Sequence, residues 1–456
     1  MEDIEAIVKK QRIFFNTDKT KSTAFRLQGL NKLKRAIQRH EADIMEALKK
    51  DLNKTPFEAY ATEIGLVLEE LTYVSRHLEN WARPRSVRTP VANFPGVSKV
   101  YAEPYGVVLI MSPWNYPFQL AMLPLAGAIA AGNTVIVKPS NYSPNTSGII
   151  EQIISEVFPK EYAVVIQGGR EENSALLEQK FDYIFFTGSV AVGKTVMRSA
   201  SEKLTPVTLE LGGKSPCIVD ETADLELAAR RIVWGKYLNA GQTCVAPDYL
   251  LVHHKVKEVL LQKMIKYILK FYGPDASTNR SFPKIINEKH FKRLSGLIQG
   301  EKVAFGGNCN DNTNQIAPTI LDRITWDSPV MAEEIFGPIL PVLEFQRLEE
   351  ILPMINNRPK PLALYYFTRS KTNERKVIQS VSYGGGCIND TVMHLATNHM
   401  PFGGVGDSGM GGYHGKDSFM TFSHRKSVLK KSNLLDIPLR YPPYKDHLKL
   451  IKLLLK

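Results

Sequence analysis

Apolar residues recur every three or four positions through the first 83 residues. Ala24, Leu27, Leu30, Leu33 and Ile37 make one such stripe, and a second runs over 64–78. That period predicts amphipathic helices with one face on a core. Pro84 ends the block, because proline lacks the amide a helix interior needs. Residues 85–105 carry several Pro and Gly and lose the period, so a crossing arm or short hairpin is expected there.

The pattern then changes to continuous apolar runs separated by helical stretches. The runs 106–111 and 133–138 read as parallel strands covered on both faces. Helices are expected at 117–131, 145–158 and 190–200, and further strands at 163–166 and 183–186. Strand, helix, strand at this spacing implies right-handed crossovers and a doubly wound sheet. Such sheets bind ligands at the carboxyl ends of their strands, where Asn115, Lys138 and Thr187 fall. A second α/β region starts near Glu210, with strands at 217–219, 249–252 and 363–367 and helices at 224–236 and 255–271. The tail ends at 448–456 in alternating Leu and Lys, an amphipathic helix that packs on its own or a partner subunit. A membrane-surface anchor is the second reading.

One short polar turn interrupts this scheme. The helix over 224–236 runs into Asn239, Gly241 and Gln242, and Cys244 follows directly. A thiol so placed can face a cleft and act as a nucleophile once ionised, or lie inert in a core. Two glycine motifs need sorting. Gly188-Ser189-Val190-Ala191-Val192-Gly193-Lys194-Thr195 matches the P-loop pattern, and Asp220 ends a downstream apolar strand as a metal-holding acid would. Its Val-Ala-Val interior is poor in glycine for a loop that wraps phosphates with backbone amides. A helix start after a strand still offers its amides to a dinucleotide pyrophosphate. Gly404 to Gly409 matches G-x-G-x-x-G but lacks a buried strand before it and a helix after it, so a flexible loop is expected instead.

Composition narrows the classes. The chain has 456 residues, 43% hydrophobic and 23% charged, enough for two or three globular domains. No apolar run is long enough to span a membrane, and the N-terminus lacks a signal-peptide core. Cys217, Cys244, Cys309 and Cys387 form no C-x-x-C pair, which argues against a metal ribbon or disulfide framework and suits the cytoplasm. The net charge of +12 comes from scattered basic residues with no nucleic-acid motif, so no nucleic-acid partner is expected.

Seven segments complete the reading: Pro113-Trp114-Asn115-Tyr116-Pro117, Val137-Lys138-Pro139-Ser140, Phe186-Thr187-Gly188-Ser189, Leu209-Glu210-Leu211-Gly212-Gly213-Lys214, Gly241-Gln242-Thr243-Cys244, Glu333-Glu334-Ile335-Phe336-Gly337-Pro338 and Pro401-Phe402-Gly403-Gly404. In order and spacing, with Cys244 following Glu210 by 34 positions, they resemble the NAD(P)-dependent aldehyde dehydrogenases. The resemblance covers nearly the whole chain. The short N-terminus and the Arg440-Tyr441-Pro442-Pro443-Tyr444 tail resemble the class 3-type branch, which handles fatty and aromatic aldehydes.

The resemblance implies roles. Cys244 attacks the aldehyde to give a thiohemiacetal, the side-chain amide of Asn115 and the Cys244 N–H hold the oxyanion, and Glu210 activates the water that hydrolyses the thioester. Lys138 bonds the adenine-side ribose, and Gly188, Ser189 and Gly193 place the pyrophosphate. Glu334 holds the nicotinamide ribose, with Phe336 and Trp114 lining the same crevice. Asn141 stands where the family commonly has a ribose-binding Glu, so NADP is expected alongside NAD. Tyr116, Trp234 and Leu238 are candidates for an apolar aldehyde tunnel. The implied fold is α/β: a doubly wound Rossmann-like cofactor domain (1–84 and 106–209), an α/β catalytic domain (210–416), and a bridging or oligomerisation arm with the tail (85–105 and 417–456) that makes a homodimer. A CoA-acylating relative would lack the base that Glu210 supplies. A retired enzyme kept as a binding protein would have lost Cys244, Glu210 or Asn115.

Overall fold

The computed structural model describes residues 3–436, 438–444 and 447–454. Six strands form one sheet in the order Gly409–Met410, Val207–Glu210, Tyr183–Thr187, Val107–Met111, Thr134–Lys138, Ala163–Val165. All neighbours are parallel except the first pair. Val107–Met111 is central because chain order runs outward from it in both directions, so the topological switch point lies between it and Tyr183–Thr187. Its continuous apolar run is explained by its two faces. Val108 and Ile110 pack into one core and Val107, Leu109 and Met111 into another.

The expected N-terminal helices cover both faces, the first packing through Ile4, Ile7 and Val8 with Val107, Leu109 and Met111 and the later ones packing with Val108 and Ile110. They are Ile4–Phe15, Thr23–Arg39, Glu41–Leu52 and Gly65–Ala82, and Ser22 caps the second by accepting from the Phe25 amide. Gln11 fastens the first to the sheet by donating to Val135 O at 2.9 Å. A wide five-residue turn of π-helix, Tyr60–Ile64, precedes Gly65–Ala82.

The second sheet has seven strands in the order Lys302–Phe305, Thr319–Asp322, Ile339–Phe345, Tyr249–His253, Pro216–Val219, Ala363–Phe367, Gly385–Ile388, parallel apart from the first. Helix Leu225–Tyr237, capped by Asp224, leads to the polar turn. The 85–105 arm and the tail meet in a third sheet. Gly96–Pro104 pairs antiparallel with Ser423–Lys431 along its whole length, and Arg85–Val87 adds a short edge.

One expectation needs correction. Gly404 to Gly409 is not a flexible loop. A short 3-10 turn at Gly406–Ser408 leads into Gly409–Met410, which pairs with the strand ending in Glu210. That pairing adds residues 409–410 to the edge of the six-stranded sheet. Helix Arg170–Leu177 was not foreseen either. The tail helix spans Leu448–Leu454, while Leu455 and Lys456 lie outside the described residues, as do Met1 and Glu2 of the acidic N-terminus. Among the described residues no helix is long and apolar enough to cross a membrane.

Candidate active site

Cys244 is delivered by a strained turn. After helix Leu225–Tyr237, Asn239, Ala240 and Gly241 take left-handed φ values of 51°, 52° and 72°. Ala240 has no glycine freedom there, and such strain persists only where the surroundings enforce it. They do: a Cβ on Gly241 would sit 2.2 Å from Gly337 O, and Gln242 is fixed through Asn239 O, Lys284 O and the Ile286 amide. The turn brings Cys244, partly buried, to the end of an apolar cavity of about 340 Å³. Burial first, then the charges of Glu334 and Glu210, push its thiol up to about 12, while the amides of Cys244 and Val245 facing the sulfur pull it down.

Asn115 follows the central strand. It is buried, and one hydrogen of its amide goes to Gln242 O at 3.1 Å. A side-chain amide has two N–H groups, so one remains for an oxyanion. Glu210 ends the neighbouring strand but one. Both carboxylate oxygens are buried without a hydrogen-bond partner among the described residues, and burial raises its proton affinity strongly. An orphaned buried carboxylate is costly, and its position beside Gly403 and within electrostatic reach of Cys244 points to chemistry.

The residues expected to hold the cofactor gather beyond the carboxyl ends of the five parallel strands. Lys138 is buried and donates to Pro139 O (2.8 Å) and Gly168 O (2.6 Å), with burial lowering its pKa to about 8. Ser189 caps helix Val190–Ser201 by accepting from the Val192 amide, which leaves the first helical amides pointing out of the helix end. Gly188 follows the strand Tyr183–Thr187 and Gly193 lies in the first turn of the helix. Their amides are bonded to Glu210 O and Ser189 O, and what they provide is closeness: a Cβ on either would come within 2.6 Å of Phe186 or Leu211. Glu334 packs over Gly212, where a Cβ would meet Oε2 at 2.1 Å, and burial with Asp248 nearby pushes it up to about 8. Phe336, itself at φ 53°, meets Trp114 edge-on at 5.4 Å, and His290 packs on the other side of Trp114 at 5.3 Å. A helix end free to take a phosphate, a lysine at a strand end and a carboxylate beside an aromatic wall fit a dinucleotide. The NTPase pattern does not assemble. Thr195 Oγ1 bonds back to Ala191 O, and Asp220 lies in the other sheet, accepting from Thr222, Tyr366 and Thr368.

Tyr116, Trp234 and Leu238 all line the cavity that ends at Cys244. Other walls were not foreseen. Phe57, Thr62 and Leu66 come from the N-terminal helices, Val392, Met393 and Leu395 from the segment after Gly385–Ile388, and Phe402, Tyr413 and His414 from near the tail. The Pro401-Phe402-Gly403-Gly404 motif was the one available signal for the last group.

Known proteins match this chain in sequence and in fold. The model of the aldehyde dehydrogenase family matches residues 1–428. The chain is 50% identical to a 4,4'-diaponeurosporen-aldehyde dehydrogenase of Staphylococcus aureus over the full length of both. It is 46% identical to a dimeric, NADP-preferring aldehyde dehydrogenase of Canis lupus familiaris, covering 97% of this chain and 98% of that one. A solved substrate-bound structure of Staphylococcus aureus AldH superposes with a TM-score of 0.98 at 50% identity, covering 100% of each chain.

Proposed function

The chain belongs to the aldehyde dehydrogenase family, and from that premise we propose that it oxidises medium- or long-chain aliphatic and aromatic aldehydes, with Cys244 as nucleophile and Glu210 as hydrolytic base. It is an oxidoreductase that uses a nicotinamide cofactor, NAD or NADP. The observation that carries the residue assignment is the convergence of one partly buried thiol lining an apolar tunnel, one spare amide hydrogen on Asn115, which is bonded to the turn before that thiol, and one orphaned carboxylate within electrostatic reach of it.

The Cys244 thiol releases its proton to solvent and the sulfur attacks the carbonyl carbon, whose oxygen gains charge where Asn115 Nδ2 and the Cys244 amide are held in place beforehand. When bound, the nicotinamide supplies the hydride acceptor. Lys138, Ser189, Glu334, Phe336 and Trp114 would hold the cofactor. The acyl group then remains on sulfur as a thioester. Glu210 takes a proton from the attacking water, and burial makes its carboxylate a stronger base than one in water. The resulting acid leaves, and the thiol is regenerated.

The tunnel's apolar lining disfavours charged semialdehydes, since a second carboxylate would be desolvated without a partner. Exposed Asn141, following Lys138-Pro139-Ser140, supports acceptance of NADP, because a neutral amide repels a 2′-phosphate less than a carboxylate does. The four cysteines are free thiols, which fits a cytoplasmic setting, and the arm sheet supports a homodimer.

The test is nicotinamide reduction with hexanal, NAD and NADP side by side, and succinic semialdehyde as the poor substrate. Cys244→Ala should abolish turnover. Glu210→Gln should give a burst of one reduced nicotinamide per site, then turnover slowed by ~10²–10⁴. Wild type inactive with both cofactors across a broad aldehyde panel, or full steady-state turnover in Cys244→Ala, overturns the reading. An NAD preference above about a thousandfold overturns the NADP part alone.

A further inference from the structure

A buried ion pair sits behind the catalytic loops, on a segment to which the mechanism assigns no part. Lys54 and Glu63 are 1% and 0% exposed, and Lys54 Nζ lies 2.5 Å from Glu63 Oε1. The pair reaches the site through both members. Lys54 Nζ donates to the backbone oxygen of Asn115 at 3.2 Å and stands 4.0 Å from the ring centre of Tyr116. Glu63 Oε2 accepts from the amides of Phe118 (2.9 Å) and Gln119 (3.1 Å), which caps the start of helix Gln119–Ala131. One ion pair therefore grips residues 115 and 116 from below and 118 and 119 from the side.

The grip extends to the cysteine turn. Asn239 Nδ2 donates to the same Asn115 oxygen at 2.8 Å, and the Asn239 amide donates to Glu58 Oε1 at 2.9 Å. The Tyr116 hydroxyl and Thr243 Oγ1 are 2.6 Å apart, next to Cys244. Glu63 reaches its position from the π-helical turn Tyr60–Ile64, whose extra residue shifts the side chains that follow. Such turns occur often at functional sites, and a buried ion pair is rarely kept for stability alone.

We propose that Lys54 and Glu63 are positioning residues for the oxyanion site, fixing the Asn115 backbone so that its free amide hydrogen points where the oxygen develops charge. The proposal rests on Asn115 being the oxyanion donor. Neither Lys54 nor Glu63 lines the tunnel, and they act through Asn115 and Tyr116.

The experiment is a double-mutant cycle on kcat and KM for hexanal: Lys54→Met, Asn115→Ala and the combination. Asn115→Ala should lower kcat by ~10²–10³, as removal of one oxyanion donor does. Lys54→Met should lower kcat about tenfold or more with KM unchanged, and should cost less than about threefold in the Asn115→Ala background. The alkylation rate of Cys244 should stay at the wild-type value in Lys54→Met, which separates lost positioning from general loosening of the site. Should Lys54→Met fail to fold, Lys54→Met/Glu63→Gln takes its place, since it removes both charges of the pair and keeps an acceptor for Phe118 and Gln119. Equal Lys54→Met losses in both backgrounds, or wild-type kcat in a folded variant, overturns the proposal alone. Wild-type activity in Asn115→Ala overturns the oxyanion assignment beneath it, and the proposal falls with it.

Discussion

Cys244 carries a tension that can be measured. Its sulfur must be a thiolate to attack, yet burial and two nearby carboxylates push its pKa up to about 12. Without added nicotinamide the thiol therefore keeps its proton at neutral pH. Alkylation by iodoacetamide should be slow at pH 7 and rise with pH, with no plateau below about pH 10. Glu210→Gln removes one of the negative charges and should speed alkylation at pH 8. A plateau near pH 8, or a slower Glu210→Gln, would show that some other group already ionises the sulfur. The residues of this chemistry were legible because a motif names them. Lys54 and Glu63 were not. In sequence they are ordinary charges in the helical N-terminal block, and Glu63 sits on a π-helical turn that no 3.6-residue period can reveal.

Elements were legible where burial is symmetric. Val107–Met111 and Thr134–Lys138 are covered on both faces, so they read as unbroken apolar runs. Ile339–Phe345 holds Pro341, and Gly385–Ile388 opens on two glycines, so each carries a residue that normally counts against a strand. Helix Arg170–Leu177 buries Leu176 alone and so has no apolar stripe to find. Contacts between distant elements were invisible too, and one has a pH signature. Glu70, on Gly65–Ala82, accepts from the Gly415 amide (2.8 Å) and from Ser418 Oγ (3.4 Å), which ties the N-terminal helices to Lys416–Thr421. Burial lifts its carboxyl from 4.5 to about 7. The folded state then holds a proton that the unfolded chain releases, so stability is lost as pH rises across that window. The loss is of order 3 kcal/mol at most. Glu70→Gln keeps the accepting oxygen and removes the titration. Its Tm should exceed wild type at pH 8, and the gap should close by pH 5. An equal shift at both pH values would mean that packing, and not ionisation, sets the difference.

On the scale of the whole molecule, the two α/β regions supply the site between them, and the arm sheet is the part whose own packing is incomplete. Its strand Ser423–Lys431 is exposed over most of its length, and Gly96–Pro104 is half-buried with Val97 and Lys99 exposed. Val97 and Val428 share one face, because Val428 pairs with Lys99 two residues along from Val97. They are 52% and 39% exposed, and Leu429, on the other face, is 44% exposed. A three-stranded sheet with apolar side chains on both faces and open edges tends to be covered by something. In the proposed homodimer that cover is the second copy of the chain. Val97→Glu/Val428→Glu places two carboxylates on one face of the arm without touching the tunnel or the cofactor crevice. Light scattering should then give the mass of one chain where wild type gives two. Burst amplitude per chain should be kept, because Cys244, Glu210 and Asn115 all come from the same chain. A variant that stays at twice the chain mass would move the interface away from the arm. A wild type that already runs at the mass of one chain would leave the arm's apolar faces to a different partner.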